Sequence, residues 1–410
     1  MDFAKLLVVN PSRVLASVGL VVGLFACASE EDTDLVDAEI KSPGLGVLRI
    51  ATFNTSLNRP KAGVLLDELA TKTSAHGKAA ATLIQDMAPH ILLVNELDHD
   101  KDSRSAKLFH DNYLRVKQGS ARAAEYKYSF APPVNTGVQS GFDLDHDGKV
   151  GGPGDAFGFG EFEGQYGFAV FSKYPILKDK IRCFQKMLWK DVVGATFPTN
   201  PKTGKDWFSD EEKKVLRLSS KNHCDIPIDV EGTIVHALVA HPTPPAFDGP
   251  EDRNGIRNRN ELLFWANYIT PGSRSDSIVD DNGNKGGLPS TERFVFLGDL
   301  NSDPNDGSSQ AIRQLLEHPR VLGNRAPASE GGRLTSLEQG EKNKLHKGDP
   351  KNDTGDFHDG ALGNLRLDYV LPSKNLTVLD AQVYWPRSSE PKAKLISFSD
   401  HRPVWIDVKL

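Results

Sequence analysis

The chain has 410 residues, 38% hydrophobic and 25% charged, a balance that can bury a sizeable core and excludes disorder for its main body. Its formal net charge of -6 is small for that length. A surface-wide basic attraction to nucleic acid is therefore excluded, and any polyanion must be held by a local basic pocket or a bound cation.

At the N-terminus, Lys5 and Arg13 accompany an apolar run at residues 14–25 that is too short to span a bilayer comfortably, so the segment reads as a targeting signal. It ends in Leu24-Phe25-Ala26-Cys27, which resembles a bacterial lipoprotein box with Cys27 as the lipidated residue. The alternative is cleavage after Ala28, at the small-x-small pattern Ala26-Cys27-Ala28. Both readings export the protein, and the first anchors it to a membrane. Residues 28–45, with Glu30, Glu31, Asp32, Asp34 and Asp37, read as a disordered acidic tether. No later boundary stands out, so residues 46–410 are taken as one domain.

Apolar runs bounded by Gly, Pro or polar residues predict strands at residues 48–53, 91–95, 167–172, 233–241, 294–297, 367–371, 381–384 and 404–408. Helices are predicted at residues 78–87, ended before Pro89, and at 259–268 and 310–316. Long polar loops fill residues 131–165, 190–214, 270–292 and 324–364. The irregular alternation points to a layered α/β sandwich and not to a regular βαβ wheel. Once Cys27 is set aside, Cys183 and Cys224 remain, both in strand-like segments. In an oxidising compartment they form either a disulfide or two buried thiols.

The strand ends carry the chemistry. Strands run into Asn54, into Asn95-Glu96 and into His241; Gly298-Asp299-Leu300-Asn301 follows Phe294-Val295-Phe296-Leu297, and Asp368 and Asp400-His401 stand at the mouths of the last strands. Carboxylates and imidazoles where buried strands emerge are costly unless they meet a metal, a partner or a substrate. In this order the segments resemble the endonuclease/exonuclease/phosphatase superfamily, whose members include pancreatic deoxyribonuclease-like enzymes. The resemblance covers nearly all of the chain after residue 46. It implies an α+β fold, a four-layered sandwich of two packed mixed β-sheets flanked by helices, in a monomer acting on a phosphate ester. It also implies Mg2+ or Mn2+ held by Glu96 with Asn54 and Asp400. Asp299, helped by Asn301, would orient or deprotonate the attacking water. His401, held by Asp368, would contact the phosphoryl group, and His241 would donate to it or to the leaving oxygen. Deoxyribonuclease-like members pair that second histidine with a carboxylate, where this chain has Gln165 and Tyr166.

Further candidates stand apart from that set. Gln165 and Tyr166 either line the phosphate site or pack. Arg217 and Lys221, on a predicted strand, and Arg257, in the arginine-rich segment Arg253 to Arg259, are candidate phosphate ligands; a solvated strand face and a charged helix entry are the alternatives. Asp143-Leu144-Asp145-His146-Asp147-Gly148-Lys149 matches the start of a calcium loop, with Asp155 in place of the usual late glutamate. It predicts a structural Ca2+ on Asp143, Asp145, Asp147, Lys149 and Asp155, or else a solvated acidic turn. The expected activity is that of an exported metal-dependent phosphodiesterase, nuclease-like, with phosphomonoesters as further substrates. A phospholipid head group is the alternative substrate, which would need an exposed aromatic hairpin supplied by Trp189 or Trp207-Phe208. A non-enzymatic calcium-binding surface module is the third reading.

Overall fold

The computed structural model describes residues 43–410. Cys27 and the tether up to residue 42 lie outside the described residues. Among those described, the strands are β1 (Leu48–Asn54), β2 (Ile91–Asn95), β3 (Tyr128–Phe130), β4 (Phe168–Ser172), β5 (Arg182–Cys183), β6 (His223–Val230), β7 (Thr233–Ala240), β8 (Arg293–Asp299), β9 (Gly355–Asp356), β10 (Asn364–Leu365), β11 (Asp368–Pro372), β12 (Thr377–Val383) and β13 (Val404–Lys409).

They form a six-stranded sheet in the order β12-β13-β1-β2-β4-β3 and a five-stranded sheet in the order β11-β8-β7-β6-β5, with β9 and β10 paired apart. Both large sheets are mixed: β1 runs parallel to β2 and antiparallel to β13, and β7 runs parallel to β8 and antiparallel to β6. The fold is thus an α+β sandwich of two mixed sheets flanked by helices.

The run Phe294 to Leu297 shows why a continuous apolar strand arises here. Alternate side chains leave opposite faces of a sheet. Val295 and Leu297 enter the core between the sheets, with Ile50, Leu93, Val170 and Val239. Phe294 and Phe296 enter the outer core, where Leu262, Trp265 and Tyr268 of the helix Arg253–Tyr268 cover the sheet. With both faces buried, no polar alternation is possible, and each phenylalanine contributes roughly 1.5–3 kcal/mol of burial. The other large sheet is covered by the helix Ala75–Met87 through Ala80, Leu83, Ile84 and Met87.

Departures from the sequence-based expectations have local causes. The helix Ala75–Met87 starts earlier than residue 78 because the Ser74 side chain caps it, accepting from the Gly77 N–H at 3.0 Å. The helix Arg253–Tyr268 starts six residues before the predicted 259, through a polar stretch that packs inward. Only Arg313–Leu316 of the third predicted helix is helical. The segment from Arg217 to Asn222 is not a strand. Its backbone bonds to loops and a helix instead, Leu218 N–H to Met187 at 2.8 Å and Ser220 N–H to the Glu261 carboxylate at 2.8 Å. The long loops carry short helices, among them Asp210–Val215 and Glu330–Gln339.

Trp189 and Phe208 are buried, and Trp207 stacks on His146 at 4.8 Å, so none of them forms an exposed aromatic hairpin. Cys183 and Cys224 face each other across β5 and β6 and are joined as a disulfide, with Cα atoms 4.2 Å apart. It closes a separation of 41 residues, which constrains the unfolded chain by about 2–4 kcal/mol. Among the described residues, no helix is long and apolar enough to cross a membrane.

Candidate active site

The two large sheets present the ends of β1, β2, β7, β8 and β11 at one edge of the sandwich, and the predicted residues meet there. Asn54 ends β1, level with Asn95 at the end of the parallel β2, and Glu96 follows. Asp299 ends β8 directly opposite Asp368, which opens β11. His241 follows β7, and Asp400 and His401 lie just before β13. The turns off the strands are tight. Glu96, Tyr166 and Asn301 have φ values of 56°, 56° and 52°, in the left-handed region that L side chains rarely adopt. Gly298 is needed where it stands, since a Cβ there would come within 2.1 Å of the Ala240 carbonyl.

Asp299 Oδ2 is the meeting point. Asn54 Nδ2 donates to it at 3.1 Å and to Glu96 Oε1 at 3.0 Å, which bridges the two sheets. His241 Nε2 lies 3.3 Å from the same oxygen and His401 Nε2 3.5 Å from it. Asp299 Oδ1 accepts from the Asn301 N–H at 3.0 Å, while the Asn301 side chain donates to the Pro242 carbonyl at 3.1 Å. His401 Nδ1 pairs with Asp368 Oδ2 at 2.7 Å, and Thr354 donates to that oxygen at 2.8 Å. Asp400 Oδ1 is 3.9 Å from His401 Nε2.

These contacts divide the charges. Burial disfavours a charged His401, but Asp368 and Asp299 outweigh it and raise the imidazole well above its usual pKa, so the ring is an imidazolium. Burial also works against ionised Asp299, yet His401, His241 and Asn54 hold it below the usual carboxylate range. His241 behaves oppositely: burial and the charge of Lys221 push it down to about 4, leaving it neutral. Because ionised Asp299 only accepts, the hydrogen on His241 sits on Nε2, and buried Nδ1 has no partner. Among the described residues no carboxylate backs this histidine, and Gln165 does not replace one. Its amide bridges the Glu161 N–H and the Arg59 carbonyl, at 2.8 and 2.9 Å.

Glu96 is pushed up to about 7 by burial and by Asp400 beside it. Two carboxylates repelling one another in a half-buried place are the arrangement a cation relieves. Glu96, His241 and Asp299 offer ligand atoms within 4.8 Å of one another, and the oxygen-rich surroundings of Asn54, Glu96, Asp299 and Asp400 fit a hard divalent ion such as Mg2+. His401, charged and committed to Asp368, does not fit as a ligand.

The other predicted positions separate. Tyr166 borders the site, and its N–H donates to Asp98 at 3.1 Å. Lys221 is buried and faces Glu96 and Asp299 electrostatically. The guanidiniums of Arg217 and Arg257 are engaged within the protein. Arg217 donates to Asn135 at 2.6 Å and lies over the Phe157 ring, and the buried Arg257 guanidinium donates to the carbonyls of Leu218, Arg217 and Phe157. Asp143, Asp145 and Asp147 do cluster within 4.8 Å on the surface. Asp155 is not with them as a ligand, because its two oxygens accept the N–H groups of Leu144, Gly151 and Gly152. Lys149 gives its N–H to Asp147 at 2.8 Å. Sequence reasoning missed Asn58, which donates to Glu96 Oε2 at 2.7 Å, as well as Thr354 and Asp98. Asn58 sits only four residues past Asn54, and that proximity was the available signal.

Among solved structures, the chain is similar to an endonuclease/exonuclease/phosphatase from Beutenbergia cavernae (17% identity, 89% of this chain and 72% of that one, TM-score 0.47). It is also similar to a beta toxin variant from Staphylococcus aureus with bound magnesium ions (16% identity, 88% and 98%, TM-score 0.43) and to sphingomyelinase C from Streptomyces griseocarneus (15% identity, 88% and 99%, TM-score 0.41). No curated protein matches it in sequence. The model of the Endonuclease/Exonuclease/phosphatase family matches residues 51–401, and the chain therefore belongs to that family.

Proposed function

We propose that this protein is an exported phosphodiesterase that hydrolyses P–O bonds by water attack, with a divalent metal and the set Asp299, His401, Asp368, Asn301 and His241. Members of the family are metal-dependent phosphoesterases, which gives the reaction class. The observation that carries the reading is the convergence of Asn54, His241 and His401 on one Asp299 oxygen, at 3.1, 3.3 and 3.5 Å.

Asp299, ionised and buried, orients a water and takes its proton. Asn301 fixes the Asp299 side chain through its N–H. The His401 imidazolium, kept charged by Asp368, donates to a phosphoryl oxygen as negative charge grows there. Neutral His241 offers its Nε2–H to the phosphoryl or leaving oxygen as a hydrogen-bond donor, without the backing carboxylate found in deoxyribonuclease-like relatives. Mg2+ or Mn2+, held by Glu96 with Asn54 and Asp400, would polarise a phosphoryl oxygen and stabilise the developing charge.

A disulfide at Cys183–Cys224 supports an oxidising compartment, and hence export. Lipid attachment at Cys27 would add a membrane anchor; incorporation of a labelled fatty acid into the full chain, lost on Cys27→Ser, tests it. A phospholipid substrate is the second reading. The observation favouring it is three exposed phenylalanines, Phe159, Phe247 and Phe398, placed shortly before Tyr166, shortly after His241 and just before Asp400. The deciding experiment is hydrolysis of bis-p-nitrophenyl phosphate, DNA, phosphomonoesters and sphingomyelin vesicles, with Mg2+ and with EDTA. Activity that survives EDTA, or that Asp299→Ala leaves intact, ends the proposal.

A further inference from the structure

The helix Arg253–Tyr268 lies against the loops of the site and directs two fully buried polar side chains at them, Asn258 and Glu261. Three residues apart, they share a helix face. Asn258 Nδ2 donates to the carbonyls of Thr243 and Leu300 at 2.9 and 3.0 Å. Glu261 accepts from the Ser220 N–H at 2.8 Å and from the Thr243 N–H at 2.6 Å. Ser220 precedes Lys221 directly, and Thr243 lies two residues past His241, so one carboxylate pins both segments.

The two backbone donors satisfy Glu261 as an acceptor but leave its charge to be balanced. Arg257 contributes, yet its guanidinium is committed to backbone carbonyls. Lys221 is 7% exposed and has no hydrogen-bond or ion-pair partner among the described residues. Burial works against its charge, whereas Glu261 first, then Glu96 and Asp299, favour it. A largely buried lysine with no acceptor, next to the pinned Ser220 and in the field of Glu261, Glu96 and Asp299, is a donor for an incoming anion.

We propose that Lys221 donates its ammonium to a non-bridging phosphoryl oxygen of the bound substrate, and that Glu261 is the positioning residue that fixes Lys221 and His241 from behind. The proposal rests on the phosphodiesterase reading of the same site. It is tested on the full chain with bis-p-nitrophenyl phosphate and Mg2+, with inorganic phosphate as competing ligand. Removing a charge-assisted hydrogen bond in Lys221→Met should lower kcat/KM by about 10- to 100-fold. It should weaken phosphate inhibition by a similar factor, and Lys221→Arg should restore part of both. Glu261→Gln should move both quantities in the same direction, and in the double variant its effect should shrink because it acts through Lys221. Wild-type kcat/KM and phosphate inhibition in Lys221→Met overturn the proposal, as does full additivity of the two changes. If Glu261→Gln does not fold, the Lys221→Met and Lys221→Arg pair decides alone. An inactive wild type would instead remove the phosphodiesterase reading, whereas activity abolished by Asp299→Ala but untouched by Lys221→Met removes only this inference.

Discussion

Two regions of this molecule gather acidic groups, and they differ in origin and in burial. Asp143, Asp145 and Asp147 are alternate residues of one surface loop, folded together by local bonds such as the Asp147 N–H to Asp143 and Asp145, both at 3.1 Å. Glu96, Asp299, Asp368 and Asp400 come from strand ends spread over the whole domain, Asp299 and Asp368 fully buried and Glu96 and Asp400 half-buried beside them. The loop cluster follows from ordinary turn chemistry, and solvent screens its charges. The strand-end cluster exists only because two sheets hold it against burial and repulsion. Proximity of acids therefore does not by itself distinguish a reaction centre; distant origin together with burial does.

That contrast can be broken most directly at Asp299. Asp299→Ala should lower kcat/KM for bis-p-nitrophenyl phosphate by about a thousandfold or more, since it removes the base and the anchor of both histidines together. Asp368→Asn should lower it by about a hundredfold. It should also move the alkaline limb of the kcat/KM pH profile to lower pH, because without the Asp368 charge His401 holds its proton less tightly. An unmoved limb would separate His401 ionisation from catalysis.

Glu96 supplies the next test. Burial and Asp400 push its carboxyl up to about 7 from the usual 4.5, so without metal the folded state binds the extra proton between those values. Stability of the metal-free protein should then fall as pH rises from 4.5 through 7, and Mg2+ should restore it with an affinity that weakens below about pH 7. Thermal melts with and without EDTA across that range measure this, and Glu96→Gln should flatten the dependence. The smallest effect is expected in the loop: Asp145→Ala should change Mg2+-dependent activity less than twofold and stability by about 0.5 kcal/mol or less. Calorimetry with Ca2+ sharpens the point, as heat present in the wild type and lost in Asp145→Ala would give the loop an ion of its own.

Much of the site was legible because apolar strands stop abruptly at polar residues, as at Asn54, Asn95-Glu96 and Gly298-Asp299. The family order of those ends carried the α+β sandwich with it. The rest was hidden for a common reason: a polar side chain in a sequence does not reveal whether it faces solvent. Arg217 and Arg257 read as phosphate ligands, but their guanidiniums satisfy an amide and buried carbonyls. Trp189 and Phe208 read as loop aromatics and are core. Nothing in the sequence singled out Glu261 or Asn258, although both are fully buried beside the site. Asp155 was placed in the loop's ion shell by spacing, whereas three backbone N–H groups occupy it.

The left-handed backbone at Glu96 has a consequence for engineering and for evolution. An L residue there is disfavoured by roughly 1–2 kcal/mol relative to a conformation that glycine accepts freely. A screen that rewards heat tolerance while ignoring turnover would therefore enrich glycine at position 96, and with it sturdier but inert descendants. Keeping a glutamate at that corner takes selection on turnover itself.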